Sequence, residues 1–509
     1  MSQKMSRRDF IRAAGAAAAA AGMGLTPAAG LLSRVSAQDL PFVTLRWIYG
    51  GQPPEDLQLV QDALNVILKE KINAEIIMES TDWGAFDQKM TLINAGGEVY
   101  DIAYVASWIN DYFSNVNNEY LAPLDDILLE FAPGLWDSMP ETTWNAARIR
   151  GSIYGVINQQ IFPRPQGFSI RRDYMEQLGL TETIDNMTTY EQLGEMLKTI
   201  KEYIDSGEDP NLEYPAPSAW VTIGKWDNEN LQGLAVQGDD YEHRQAVIFS
   251  QTEDFRTTCE TTYSWRQAGY LAPDQFVGEE GRTNMRAGKY VMTIGGTIKP
   301  GGEVEAEALL GFPIRDHIIY NPILTTPAIT ATLTGISSNS PNPERAMMFL
   351  ELMNTNKEVY NLFCKGIQGT HWEWEDETIE LIRPAAPATS WEEVKYNPNT
   401  DWQFGNQFNA YIIDPAQVGV WEATYKLNNE TPPSPLLGFT FDLANVQTEA
   451  AALSDINTQY GLPLTNGFVD PDDAERGIAA LQQREMDAGI ERVLAECQRQ
   501  IDEWAATLS

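Results

Sequence analysis

The chain has 509 residues, 43% of them apolar and 21% charged. That is a globular composition too long for one ordinary core, so two domains or a bilobal unit are expected. With 35 Lys+Arg against 72 Asp+Glu the formal net charge is −37. Contacts to a phosphate backbone or to anionic lipid need clustered cations, so no nucleic-acid partner is expected and a headgroup-bound peripheral protein is disfavoured.

The first 37 residues read as an address. Arg7-Arg8 followed by Asp9, Phe10 and Ile11 resembles the twin-arginine signal of the Tat export machinery. An uncharged Ala/Gly-rich run, Ala13 to Ser33, follows. Val35-Ser36-Ala37 then offers small residues for cleavage before Gln38. The run is long enough to span a bilayer, but its Ala/Gly content and Pro27 favour a removed signal over a retained anchor. Removal takes away Lys4, Arg7, Arg8, Arg12, Arg34 and Asp9, leaving 30 basic and 71 acidic residues, a net charge of −41. Position 38 is Gln and not Cys, so no lipid tether is expected. Cys259, Cys364 and Cys497 are an odd set without short spacings, against a disulfide framework or a zinc site.

In chain order, Phe42–Tyr49 reads as a strand ending at Gly50-Gly51. Asp56–Lys69 reads as a helix with Leu57, Val60, Leu64 and Ile67 on one face. A strand at Ala74–Met78, a helix opened by Asp82-Trp83-Gly84 and a strand at Asp101–Val105 follow. This alternation predicts βαβ units in a mostly parallel sheet, with ligands beyond the carboxyl ends of the strands. The loops 50–56, 80–83 and 106–112 therefore converge. Gly151–Ile157 reads as a short strand entered by a turn. Pro163 and Pro165 mark a crossing between lobes. Ser206–Ser218 reads as a polar surface loop, Gly295–Gly302 as flexible punctuation, and Thr325–Ile336 as a strand by its β-branched content. A helix starts at Asn342-Pro343. A final one runs from about Asp487, with Ile490, Val493, Leu494, Cys497, Ile501 and Trp504 as its apolar stripe. Cys497 on that stripe reads as a buried small apolar residue.

Several segments resemble the extracellular solute-binding proteins of carbohydrate ABC importers. They are Asp82–Lys89, Ala95–Ile102, Glu119–Asp126, Asn342–Met347, Gly366–Trp372, Trp402–Gln407 and Leu437–Asp442. Gly366–Trp372, Trp402–Gln407 and Leu437–Asp442 are similar to the subfamily with an extra C-terminal domain of unknown function. Their order extends from about residue 43 to 504. The resemblance implies an α/β bilobal periplasmic-binding-protein-like clamp: two mostly parallel sheets flanked by helices, with a hinge between the lobes. The implied division is 38–157 with 325–370 as first lobe, and 158–324 with 371–509 as second lobe and C-terminal helical extension. It also implies capture of a carbohydrate, an oligosaccharide in particular, by hinge closure, and delivery by a monomer to the transmembrane subunits of an ABC permease. Location in the periplasm or outside the cell, associated with the envelope, is expected.

A sugar offers an apolar ring face and a rim of hydroxyls, which calls for aromatic platforms and a few placed polar groups. Trp83 and Trp108 follow strands of the first lobe, and Trp372 and Trp402 lie in the family-like segments. Asp82, Asn158, Gln159, Asn406 and Gln407 are the polar candidates for ligand contact. Each residue type is also common in cores, caps and loops. Lys299 reads more readily as a solvated loop charge than as an anion site. No cofactor, metal or catalytic residue is expected. His243, His317 and His371 lack a zinc-protease spacing, and neither a nucleophile elbow nor a phosphate loop is present. Asp470, Asp472 and Asp473 lack the closing glutamate of a calcium loop and read as an acidic helix start. Two other readings stay open at this point: a binding protein for peptides or another polar solute, and a secreted glycoside hydrolase.

Overall fold

The computed structural model describes residues 40–273, 283–398 and 400–508. The leader 1–37 and the expected cleavage before Gln38 lie outside the described residues. The first strand, Val43–Gly50, pairs in parallel with Ala74–Thr81 and, through Trp47 and Ile48, with Ile102–Val105. Between them the helix Leu57–Ile72 buries Val60, Leu64, Leu68 and Ile72, one row at four-residue spacing. The helix Trp83–Gly96 buries Phe86, Met90 and Ile93. The βαβ reading therefore holds where strand–helix spacing is short. Leu333–Ile336 and Gly155–Ile157 complete this five-stranded sheet, each pairing antiparallel.

The bilobal α/β architecture is as expected, but strand direction needs one correction. The sheet of the second lobe is antiparallel, with Gln166–Arg171 in the centre and Met292–Thr297 and Ile314–Tyr320 on its sides. Long connections separate these strands, and hydrophobic content carries no sign of direction. The expected punctuation at Gly295 is part of that sheet. Gly295 has φ +87, and a Cβ there would fall 2.0 Å from the carbonyl oxygen of Trp220. Glycine is demanded by this close approach and not by a loop.

Two further expectations change. Thr325–Ile336 is not one strand. Thr325 Oγ1 accepts from Ala328 N and, with Pro327, starts the short helix Thr326–Ile329 before the strand Leu333–Ile336. Residues 371–412, assigned by sequence to the second lobe, pack on the first. Phe404 and Ala410 join the first-lobe core, and the Tyr396 hydroxyl donates to Phe363 O at 2.7 Å. Ile367 N donates to His371 Nδ1 at 2.8 Å, which leaves Nε2 to face Asp56 at 3.2 Å. The anchor is aromatic: Phe404 packs edge-on against Trp47, Tyr49 and Phe363.

The C-terminal part packs on a small sheet of the second lobe (Trp226–Asp227, Leu234–Gln237, Ala246–Ile248). The expected final helix is Ile490–Ala505, entered from a preceding helix, Ile478–Asp487, through Gly489 at φ +91. Ile490, Val493, Cys497 and Ile501 face the core. Burial pushes the thiols of Cys259 and Cys497 up to about 12, so neither carries a nucleophilic thiolate.

At this seam the Ser250 hydroxyl donates to the buried Glu485 carboxylate. Burial nevertheless raises that group to about 7. The folded chain then holds a proton that the unfolded chain has lost, so stability falls as pH rises from about 4.5 to 7. Glu485→Gln keeps an acceptor for Ser250 and removes the charge. It is expected to raise stability at pH 8 by roughly 1–3 kcal/mol and to change little at pH 4. Urea unfolding at both pH values checks this.

Candidate functional site

Three tryptophans meet at the carboxyl end of the first sheet. Trp83 opens its helix, with Asp82 as N-cap accepting from Gly84 N at 2.9 Å. Trp108 follows the strand Ile102–Val105, and Trp402 arrives from the segment that Phe404 anchors. The Trp83 and Trp402 rings stack with centroids 5.9 Å apart and planes 22° apart. Trp83 and Trp108 stand 5.5 Å apart, and Tyr104 supports all three. Gly50 makes room: a Cβ there would lie 2.3 Å from the Trp83 ring. Gln403 Nε2 donates to Gly50 O at 2.9 Å and pins the Trp402 segment over the strand end. Trp108 is 55% exposed although its indole N–H donates to Ala331 O at 2.8 Å. Asp82 also accepts from Gln52. The cluster therefore offers aromatic faces flanked by a carboxylate and an amide.

The other candidates fall into two groups. Asn158, Gln159, Asn406 and Gln407 form a pin beneath the cluster. Gln159 N donates to Gly405 O at 2.7 Å and Gln407 N to Gln159 O at 2.8 Å. The Gln159 amide donates to Ser138 Oγ and Asn354 Oδ1. The Asn406 side chain caps its own turn at Phe408 N. Asn158 is 1% exposed, and its Oδ1 accepts from Thr334 and Gly405. Among the described residues its Nδ2 has no partner. Trp372 stands apart, buried in a hairpin with Trp374 and Tyr411 and donating to Gly366 O at 3.0 Å. Lys299 pairs with Glu305. Asp470 accepts from Asp472 N and Asp473 from Glu475 N, and the Asp472 carboxylate pairs with Arg256.

The second lobe presents residues that sequence reasoning missed. Trp220 is 49% exposed, and its backbone is held by a bond to Ile294 O at 3.1 Å. Arg164 and Glu229 pair at 3.1 Å, and Thr325 Oγ1 donates to the same carboxylate. These residues line cavities of about 620 and 110 Å³ that share Arg164, Asn228 and Glu229. A third cavity, about 760 Å³, lies between residues 107–117 of the first lobe, 227–232 of the second and 436–454 of the C-terminal part. Pro163 and Pro165 had marked the crossing next to Arg164. Nothing in the sequence flagged Trp220, which no regular element carries.

Comparison with known proteins places this geometry. A carbohydrate ABC transporter substrate-binding protein of Streptococcus pneumoniae is 25% identical over 476 residues, covering 92% of this chain and 91% of that protein. The crystal structure of the N-glycan transport solute-binding protein of S. pneumoniae superposes with a TM-score of 0.79 at 24% identity, over 92% of this chain and all of that one. An extracellular solute-binding protein from Bifidobacterium longum subsp. infantis gives 0.62 at 12% identity over 91% and 99%. The fold is that of the bilobal solute-binding proteins. Residues 435–506 of this solute-binding fold match a domain of unknown function, DUF3502, in agreement with the extra C-terminal domain expected from sequence. Residues 4–24 match the twin-arginine translocation signal, so the chain is exported by that route to the periplasm or the extracellular space.

Proposed function

We propose that the protein is the substrate-binding component of a carbohydrate ABC importer. It closes its lobes on an uncharged oligosaccharide and hands it, unaltered, to the permease. The observation that carries this reading is the set of indoles at the carboxyl end of the first sheet, with Trp220 on the opposite lobe. Trp83 and Trp108 supply ring faces for sugars. Asp82, Arg164 and Glu229 supply charge-assisted bonds to hydroxyls, and the Gln52 amide a neutral one. The segments 158–165, 321–324 and 413–434 cross between the lobes and serve as the hinge, with 40–157, 325–370 and 371–412 moving as the first lobe. Closure follows only from contacts made to both lobes at once.

Related structures support the ligand class: the S. pneumoniae protein has been crystallised with Man1GlcNAc and with Man5GlcNAc. Catalysis is not part of the proposal. The protein acts as a monomer, and contact with the permease keeps it at the cell envelope.

The test is a ligand panel of mannose- and N-acetylglucosamine-containing glycans, other oligosaccharides and peptides. A sugar is expected to raise the melting temperature, change tryptophan fluorescence and be recovered intact. A response to peptides and to no sugar overturns the carbohydrate reading, and sugar fragments accumulating with time overturn binding without chemistry.

A further inference from the structure

We propose that the DUF3502 domain is part of the sugar site. Its helix Gln447–Ile456 walls a subsite for the outer units of a branched or extended oligosaccharide whose core lies at Trp83 and Trp108. This rests on the oligosaccharide reading above and extends it.

The subsite is the cavity of about 760 Å³. Its size falls within the roughly 300–1,000 Å³ of small-molecule sites. It continues the cleft at two places. Ser107 lines it and is the chain neighbour of Trp108; the backbone of Ser107 donates to Thr330 O at 3.1 Å, one residue before the Ala331 carbonyl that holds the Trp108 indole. On the other side Glu229, Asn230, Gln232 and Ser454 line both this cavity and the one beside Trp220. Asn230 and Gln232 there hold φ of 60° and 56°. Non-glycine residues in that region are uncommon and concentrate at ligand clamps.

The chemistry of the walls fits sugar. Phe439 and Phe441 give apolar surface, while Thr440, Gln447 and Ser454 give uncharged hydrogen-bonding groups. The cations and anions do not call for a charged guest: Arg150 of the first lobe donates to Asn117 Oδ1 at 2.7 Å and pairs with Asp442 of the C-terminal domain at 3.3 Å. That pair joins first lobe and DUF3502 domain at the cavity wall. Phe439 and Phe441 also belong to the core shared with the second lobe, so the domain moves with that lobe. Hinge closure therefore changes the width of this cavity along with that of the cleft.

The experiment measures affinity for Man1GlcNAc and Man5GlcNAc in the exported chain and in two variants of the cavity wall. Ala451→Trp fills the cavity from an exposed helix position, and Gln447→Ala removes a hydrogen-bonding side chain. Ala451→Trp is expected to weaken Man5GlcNAc by roughly tenfold or more and to leave Man1GlcNAc within about twofold; Gln447→Ala is expected to show the same selectivity at roughly threefold. Equal effects on both glycans, or none on either, overturn the subsite while the carbohydrate reading stands. A parent chain that binds neither of these glycans overturns the subsite as assigned, and one that binds no oligosaccharide of the panel overturns the carbohydrate reading as well. If the bulky variant lowers the melting temperature, the comparison rests on Gln447→Ala alone.

Discussion

Replacing Trp108 by alanine is expected to weaken oligosaccharide binding by roughly 10- to 100-fold, about 1.4–2.8 kcal/mol, with almost no change in stability. The two halves of the expectation have separate causes. Trp108 is 55% exposed and touches its own protein mainly at Trp83, Tyr104 and the Ala331 carbonyl. Water takes over the carbonyl when the indole is gone, so the fold loses little. The ligand loses a ring face that has already been oriented in the free protein, and such preorganised aromatic surface is where binding energy concentrates. Trp372→Ala is the counterpart. That ring is buried against Trp374 and Tyr411, so the substitution is expected to cost roughly 3–5 kcal/mol of stability and leave the affinity of the folded fraction unchanged. Trp402 lies between these extremes, stacked at 22° on Trp83 and half-buried, and its removal should lower both quantities. Calorimetric titration and thermal melting of the three variants check the ordering. Loss of binding in Trp372→Ala without loss of fold, or an unaffected Trp108→Ala, contradicts the placement of the site.

The same residues show what a sequence can reveal here. Trp83 and Trp108 were legible because each follows a strand by one or a few residues in a region of short βαβ spacing. A parallel sheet brings those loops together wherever its strands end. Trp402 was legible only through the resemblance of its segment. The reason it reaches the cluster, Phe404 wedged among Trp47, Tyr49 and Phe363, is tertiary. Trp372 sits in an equally family-like segment, yet that segment is a hairpin with its own small core. Asn158 and Gln159 follow a strand as Trp108 does. The Asn158 side chain turns inward to accept from Gly405 N, which runs alongside and needs a partner, and the Gln159 amide turns inward to donate to Ser138 and Asn354. Trp220 was missed because its place depends on a parallel bridge from Ala219 to Ile294, more than seventy residues away on the edge strand of the second-lobe sheet, a pairing that no local pattern encodes. Local periodicity thus sufficed for the βαβ units of residues 43–105 and failed where contacts are distant.

Lys365→Ala is expected to destabilise the protein by roughly 3–5 kcal/mol and to take sugar binding with it. Lys365 ends the helix Lys357–Lys365 and pairs with Asp401; their side chains are only 10% and 17% exposed. The Tyr360 hydroxyl donates to Asp401 O at 2.7 Å, so the backbone is held at the same point. Removing the ammonium leaves a largely buried carboxylate without its counter-charge, a cost that exceeds the net worth of the intact pair. The segment can escape that cost by moving Asp401 into water, and Trp402 and Gln403 are the next residues along. Their departure frees the Gly50 carbonyl and unstacks Trp83. The double variant Lys365→Met/Asp401→Leu removes both charges and keeps comparable volume, so it is expected to recover most of the stability and most of the binding. Urea unfolding and glycan titration of the parent, Lys365→Ala and the double variant check this. If the single variant loses stability while its folded fraction binds as the parent does, the Trp402 segment is not what positions the indole cluster. If the double variant is no better than the single, the bridge contributes through geometry and not through an abandoned charge.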